Sequence, residues 1–153
     1  MSHMVEGVAF LAICFVLCWI GKLVYGLFHP GTRIDREVTA RDNVAFAIPL
    51  GGYYLGIVIA VGAPLASQSR ADTLRDVGSV ALWGLLAILL LNLASIGNRV
   101  MLLRHLDLDR EILGERNMAA GIILGGSHVA NGLIILGALE GEGGLLPAAV
   151  FWL

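Results

Sequence analysis

Charged residues are scarce in this sequence. Asp, Glu, Lys and Arg make up 14% of its 153 residues, whereas hydrophobic residues make up 58% and the mean hydropathy is +0.83. Soluble domains carry roughly 25% charged and 45 to 50% apolar residues. The composition therefore excludes an ordinary soluble domain and predicts a membrane protein, whose partner is the lipid bilayer itself. The net charge of -2 offers no basic surface for nucleic acid.

Catalytic and redox motifs are also missing. The sequence has no HExxH, no CxxC, no phosphate-binding loop and no GxSxG. Its two cysteines, Cys14 and Cys18, are one helical turn apart, where a disulfide would strain a helix and a thiol behaves as a small apolar group. A metal or redox pair at these cysteines is the alternative. We predict that the protein is not an enzyme and holds no metal or cofactor.

Four apolar runs have the length of a membrane span, which is about 20 residues for a helix. In hydrocarbon the backbone must satisfy its own hydrogen bonds, and the strands of a barrel would be shorter and alternating. The sequence therefore predicts an all-α integral membrane protein. The four predicted transmembrane helices are Gly7 to Phe28, Val44 to Leu65, Val77 to Asn98 and Met118 to Leu139.

The two ends of the sequence lie outside these spans. Residues 1–6 form a short N-terminal segment in which Ser2-His3-Met4 is typical of a tag remnant. Residues 140–153 end in an apolar tail, and its stretch 143–153 covers only about 16 Å if helical. We expect this tail to lie at the outer membrane interface or to dock against a partner.

The basic residues are divided unequally among the loops. The first and third loops carry eight of them and the second only two, and an excess of Lys and Arg marks the cytoplasmic side. This predicts that the first and third loops are cytoplasmic and that the two termini are both periplasmic or extracellular. The eight are Lys22, Arg33, Arg36, Arg41, Arg99, Arg104, Arg110 and Arg116, against Arg70 and Arg75.

A segment of the sequence occurs twice, 74 residues apart. Residues 35–54, DREVTARDNVAFAIPLGGYY, align with residues 109–128, DREILGERNMAAGIILGGSH. Because each copy is flanked by two spans, we predict two tandem helical hairpins, residues 7–65 and 77–139, as parallel repeats. The identical pairs include Asp35/Asp109, Arg36/Arg110, Glu37/Glu111, Asn43/Asn117, Ala45/Ala119, Leu50/Leu124, Gly51/Gly125 and Gly52/Gly126.

The repeated pattern, with an Arg-Asp-Asn or Glu-Arg-Asn triplet followed by a Gly-Gly pair, resembles the YjfL-like membrane proteins, the family of domain of unknown function 350. The resemblance runs from the first span to about Leu139. It implies a bacterial inner-membrane protein without an assigned activity, in a family whose genes often lie near polyamine-synthesis genes. The second copy has Ser127 and His128 where the first has Tyr53 and Tyr54.

The glycines within the repeats are predicted to pack helices together, and the asparagines are predicted to cap helices. Small residues let membrane helices approach closely, and GxxxG is the best-known form. The predicted packing glycines are Gly51, Gly52, Gly56, Gly121, Gly125 and Gly126. Asn43 and Asn117 precede the second helix of each hairpin, where a side-chain oxygen caps free amides. The DRE charges are expected to pair with one another or with a partner.

A cluster of polar residues is predicted near the membrane midplane, and its chemistry stays open. Its members are His128, Asn131, Ser127, Asn92 and Ser95. A hydrolase is disfavoured because adjacent serine and histidine on a helix diverge by about 100°. For His128 three alternatives stand: a hydrogen-bonded structural histidine, a proton or cation relay, and a cofactor ligand.

These features support two functions. The first is a non-enzymatic inner-membrane protein that acts as an oligomeric structural or accessory subunit, because four small helices bury little by themselves. The alternative is an oligomeric channel or transport component for protons, small cations or polyamines. A cofactor-holding redox subunit is a distant third. The partner expected for the first two is a second copy of the chain or a larger membrane assembly.

Overall fold

Four long α-helices form the structure, a computed structural model that describes residues 2–30, 32–66, 73–101 and 107–140. Within these ranges there is no β-strand, and each connection between paired helices holds a short π-helix. The α-helices are α1 (Ser2–Phe28), α2 (Val44–Ala66), α3 (Thr73–Met101) and α4 (Met118–Glu140), and the π-helices are Arg36–Ala40 and Arg110–Gly114.

The prediction of an all-α membrane protein is confirmed. Each α-helix contains a segment long and apolar enough to cross a membrane. These segments are Met4–Phe28, Val44–Gly62, Leu74–Val100 and Met118–Ala138. The helices extend beyond the predicted spans, because hydropathy marks the apolar part of a helix whereas its backbone continues until a residue stops it.

The first helix extends beyond its predicted span. α1 begins at Ser2, five residues before Gly7, so residues 2–6 belong to this helix. α4 ends at Glu140, and the predicted tail beyond it lies outside the described residues.

Helices α2 and α4 form the centre of the bundle through backbone contact at glycines. A Cβ atom at Gly132 would lie 2.7 Å from Cα of Gly56, and a Cβ at Gly52 would overlap the backbone of Gly125. Gly121 of α4 packs in the same way against the carbonyl of Ala45. Without side chains between them, the two backbones approach closely enough for direct packing.

Helix α1 lies at the edge of the bundle. Only 11% of its spanning segment is buried, against 56% for α2. Its Leu17 packs on Gly84 of α3, and its Gly21 lies against Ile57 of α2. The exposed face of α1 carries large apolar side chains, as expected for a surface that contacts lipid. They include Val8, Leu11, Phe15, Trp19 and Leu23.

The two connections that contain π-helices have the same local backbone. Each π-helix is followed by a residue with positive φ, which is Asp42 at 46° and Arg116 at 53°. The backbone amide of Asn43 then donates to the carbonyl of Glu37, and that of Asn117 to the carbonyl of Glu111. These features recur at the 74-residue spacing at which the two sequence segments align.

Candidate functional site

A hydrogen-bonded chain of side chains crosses the interior of the bundle at Tyr53. The side-chain amide of Asn92 on α3 donates to the Tyr53 hydroxyl over 2.8 Å. That hydroxyl donates to the carbonyl oxygen of Gly21 on α1 over 3.1 Å. Asn92 also donates to the carbonyl of Ile88, 2.7 Å away. Tyr53 on α2 is fully buried, so one tyrosine ties three helices together through interhelical hydrogen bonds.

His128 of α4 packs against the other side of Tyr53. The two rings meet edge to face, with centroids 5.5 Å apart and an interplanar angle of 76°. His128 is 1% exposed, yet neither Nδ1 nor Nε2 has a hydrogen-bond partner among the residues that the structure describes. A buried polar atom without a partner costs about 1 to 3 kcal/mol. Native structures contain few of them, so each one calls for an explanation such as bound water or a functional role.

Two further unpaired polar atoms lie on α3. Within the described residues, the buried side-chain nitrogens and oxygens that have no partner belong to Ser95, Arg99 and His128. Asn92, Ser95 and Arg99 follow one another at spacings of three and four, which places them along one face of α3. This face leads from Tyr53 to the end of α3 that meets the third loop.

A crevice opens at that loop end of the bundle. Its lining includes Tyr25, His29, Arg99 and Asp109. The guanidinium of Arg99 donates to the carboxylate of Asp109 over 3.2 Å. His29 stacks on Tyr25 with ring centroids 4.0 Å apart, and its Nδ1 lies 2.9 Å from the Tyr25 carbonyl oxygen. Burial lowers the pKa of His29 from its ordinary value.

The rings form a continuous path from this crevice to His128. Tyr25 contacts Tyr53 with ring centroids 5.0 Å apart, and Tyr53 contacts His128. Tyr25 is also buried, at 2% exposure. The sequence analysis did not select His29, Tyr25 or Tyr53. Two features of the sequence could have indicated them. Tyr25 and His29 are four residues apart, on one face of a helix, and Tyr53 directly follows the repeated glycines.

The predicted midplane cluster separates into two parts. Asn92, Ser95 and His128 are buried in the bundle interior. Ser127 and Asn131 are half-buried and bond along their own helix: the Ser127 hydroxyl donates to the Leu124 carbonyl over 2.9 Å, and the Asn131 amide donates to the Ser127 carbonyl over 2.8 Å. Tyr53, from α2, occupies the position between Asn92 and His128.

The predicted packing glycines also divide into two groups. Gly52, Gly56, Gly121 and Gly125 lie in the contact between α2 and α4. A Cβ at Gly51 or Gly126, by contrast, would meet nothing within 4 Å. The internal contact therefore uses four of the six, and the other two lie on open surfaces.

The repeated charges form ion pairs within the connections and with the adjoining helices. The ammonium of Lys22, in the last third of α1, lies 2.8 Å from the Asp35 carboxylate, and the guanidinium of Arg99, near the end of α3, lies 3.2 Å from the Asp109 carboxylate. Arg110 pairs with Glu115 at 3.0 Å, and Arg36 is exposed. Such exposed pairs stabilise a fold by about 0 to 1 kcal/mol each.

The first connection contains a buried amide and carboxylate. Glu37 is 6% exposed and lies 2.8 Å from Arg41. Asn43, also buried, donates to Glu37 over 3.4 Å and to the carbonyl of Ile112 in the second connection over 3.0 Å. Its oxygen accepts from the amide of Phe46 and caps α2. The two loop segments are therefore in direct contact.

In the second connection the same pair of residues is less buried, because Glu111 is half-buried and Asn117 is exposed. Asn117 donates to Glu111 over 2.7 Å. Its side-chain oxygen accepts from the amide of Ala119 over 3.0 Å and caps α4. The two copies thus share their local bonds, but only the first reaches across to the other connection.

Side chains that commonly bind metals are dispersed among the described residues. Within the part of the chain that the structure describes, no group of three or more His, Cys, Asp and Glu side chains is placed to hold a metal ion. Cys14 and Cys18 are free thiols that border an apolar pocket with Leu17 and Ile57. The interior site is thus a set of hydrogen-bonding and aromatic groups around Tyr53 and His128.

Comparison with known proteins identifies a family to which no activity is assigned. No curated protein and no solved structure matches this sequence. A family model described as Domain of Unknown Function (DUF350) matches residues 1–139. That range includes all four spans and every residue of the interior site. The chain therefore belongs to the DUF350 family of proteins of unknown function.

Proposed function

We propose that this protein is a membrane transport component for protons or small cations, and that His128 takes up and releases the transported proton. The observation that carries the proposal is that His128 is buried and that neither ring nitrogen has a partner within the described part of the chain. A structural histidine in this environment is expected to donate from one nitrogen and accept at the other. Ionisable groups inside a membrane commonly mark ion pathways and proton relays.

The surroundings of His128 fit this role. The neighbouring Tyr53 hydroxyl is held by Asn92 and Gly21, so its position is fixed by three helices. The unpaired atoms of Ser95 and Arg99 extend the polar face of α3 toward the loop end. Histidine is the side chain whose ordinary pKa lies nearest to neutral pH, which suits proton transfer.

The membrane orientation is part of the proposal. We place the chain in a bacterial inner membrane, with its loop end in the cytoplasm and both termini outside. The bond from Asn43 to Ile112 holds the two basic loops against each other, which fits one shared cytoplasmic face. Several arginines of these loops are exposed: Arg33, Arg36, Arg41, Arg110 and Arg116.

We further propose that the bundle arose from two tandem hairpins in parallel orientation, residues 7–65 and 77–139. The matching π-helices, positive-φ residues and asparagine caps support this origin. In this arrangement the second helix of each hairpin forms the central pair, α2 and α4. His128 and Tyr53 then come from opposite copies.

A second candidate is a non-enzymatic, oligomeric structural or accessory subunit. This candidate is favoured by the low burial of α1, because only 11% of its spanning segment is buried against the rest of the chain. The glycines Gly51 and Gly126 leave open surfaces on α2 and α4, and small residues at such surfaces permit close helix contact. Mass spectrometry of the protein in lipid nanodiscs tests this candidate, since a strictly monomeric particle contradicts it.

Proton flux into vesicles tests the leading proposal. Purified protein is reconstituted into liposomes that contain a pH-sensitive dye, and a potassium gradient with valinomycin supplies the driving potential. We expect proton entry above the rate of protein-free vesicles, and we expect the variant His128→Leu to fall to that rate.

The matched control is Ser127→Ala. Ser127 is adjacent to His128 but bonds only along α4, so this variant is expected to keep the wild-type rate. Equal proton entry through the wild type and His128→Leu would overturn the proposal, as would a wild-type rate no greater than that of empty vesicles.

A further inference from the structure

The loop-end crevice lies one helical turn below His128. Helix α4 begins at the loop end with Met118, and Cα–Cβ bonds tilt toward the start of a helix. The side chain of His128 therefore covers the turn that contains Leu124, four residues earlier. Leu124 is one of the residues that line the crevice. The Cα–Cβ bond of His128 thus points along α4 toward the loop end, where the crevice opens.

The crevice has the size of a water molecule. The space open to the centre of a water molecule is about 10 Å³, and about 10 to 15 Å³ is what one buried water requires. A buried water also needs two or more polar partners. Among the described residues with an unpaired buried atom, Arg99 lines the crevice itself, whereas Ser95 and His128 lie further along α3 and α4 from the loop end.

The walls of the crevice do not suit a metal cation. They are formed largely by apolar side chains, including Phe46, Pro49 and Leu113. Hard cations take six or more oxygen ligands, whereas among the described residues of this lining Asp109 is the one carboxylate, and it is paired with Arg99. A polyamine is several times longer than a water molecule and would need a chain of acceptors that these walls lack.

We infer that this crevice admits water to His128 from the loop end, and that the site therefore takes protons and excludes metal cations and polyamines. The inference rests on the proposed transport function for its physiological meaning. A proton can pass along hydrogen-bonded water and side chains without a cavity of its own size. A cation would have to enter the crevice itself and replace its hydration shell there.

Water contact at His128 is measured by solid-state NMR of ¹⁵N-histidine-labelled protein in lipid bilayers. The His128 signal is identified by its loss in His128→Leu. We expect magnetisation to pass from water to the His128 ring in the wild type. Absence of that transfer would overturn the inference, whatever the flux measurements show.

Filling the crevice supplies a second measurement. Leu113→Trp places a larger side chain in the lining, and Leu86→Trp is the matched control because Leu86 is equally half-buried but lies outside the crevice. We expect the water transfer to be lost in the first variant and retained in the second. Transfer that survives in a folded Leu113→Trp protein contradicts this entry route.

Selectivity is tested separately in the liposomes. With potassium or spermidine as the probe, we expect no uptake above empty vesicles, whereas proton entry depends on His128. Uptake of either probe that is lost in His128→Leu would overturn the selectivity. Water transfer without proton flux would leave the crevice assignment intact and refute the proposed function, so the two failures are distinguishable.

Discussion

Tyr53 and His128 lie edge to face across the contact between α2 and α4, with ring centroids 5.5 Å apart. The two residues differ in one respect. The Tyr53 hydroxyl has partners on α1 and α3, whereas the His128 nitrogens have none among the described residues. Hydrogen bonds to the neighbouring helices therefore offset the cost of burying the Tyr53 hydroxyl. No such bonds offset the cost of burying the His128 nitrogens within the described residues.

Substitution of Gly52 tests the central helix contact. A Cβ at Gly52 would overlap the carbonyl of Gly125, so Gly52→Ala must separate two backbones. We expect it to lower the free energy of unfolding in detergent by about 1 to 3 kcal/mol, the usual cost of overpacking. Gly51→Ala is the control, because a Cβ there meets nothing within 4 Å. Equal stability of the two variants would contradict the packing.

Asn43 and Asn117 are expected to differ in their contribution to stability. Asn43→Ala removes a helix cap and also the bond to the Ile112 carbonyl. Asn117→Ala removes a cap and an exposed bond to Glu111. Loss of a cap costs about 0.5 to 2 kcal/mol, and a buried group left unpaired adds about 1 to 3 kcal/mol.

Chemical unfolding of both asparagine variants measures this difference. We expect the free energy of unfolding of Asn43→Ala to be lower than that of Asn117→Ala, by at least the contribution of one buried hydrogen bond. If Asn117→Ala is equally or more destabilising, the contact between the two connections is not the stabilising feature that the structure indicates.

The position of His29 predicts a pH dependence of stability. Burial lowers the pKa of His29 in the folded state below its ordinary value of 6.5. As the pH falls through that ordinary value, the unfolded chain takes up a proton that the folded state resists. Stability contributed by neutral His29 is therefore present above the ordinary pKa and is lost toward acid.

The variant His29→Phe isolates this effect, because it keeps an aromatic ring against Tyr25 and has no proton to bind. Unfolding midpoints are measured at about pH 8 and about pH 5.5, on either side of the ordinary histidine pKa. We expect the wild type to lose more stability than the variant over this interval. An identical loss in both proteins would assign the acid sensitivity to other groups.

Replacement of His128 is expected to leave the fold intact. His128→Leu removes two unpaired buried nitrogens and fills a similar volume, so we expect the free energy of unfolding to stay equal or to rise by about 1 to 3 kcal/mol. A functional residue that reduces stability in this way is typical of active sites. Marked destabilisation by this substitution would indicate a structural histidine with a partner.

The helices were predictable from sequence because the membrane imposes a simple rule on length and hydropathy. Val44 and Met118 were correctly predicted as helix starts, since charged residues and an asparagine precede each. The interior site was less predictable. Asn92 and His128 stand out as polar residues in apolar runs, but their common neighbour Tyr53 depends on how α2 packs between α3 and α4, which the spacing along one helix does not encode.

The contacts of the glycines were likewise only partly predictable from sequence. Their GxxxG spacing indicated that close helix contacts would form, but one sequence does not say which helix each glycine meets. The structure places Gly56 against α4 of the same chain. Tertiary pairing of this kind follows from the fit of whole helix faces.

The most direct test of the account is the rate of proton entry into liposomes that contain either the wild type or His128→Leu, at equal protein content and equal membrane potential. We expect entry through the wild type and only background leak through a folded His128→Leu protein. Equal rates in the two preparations would contradict it.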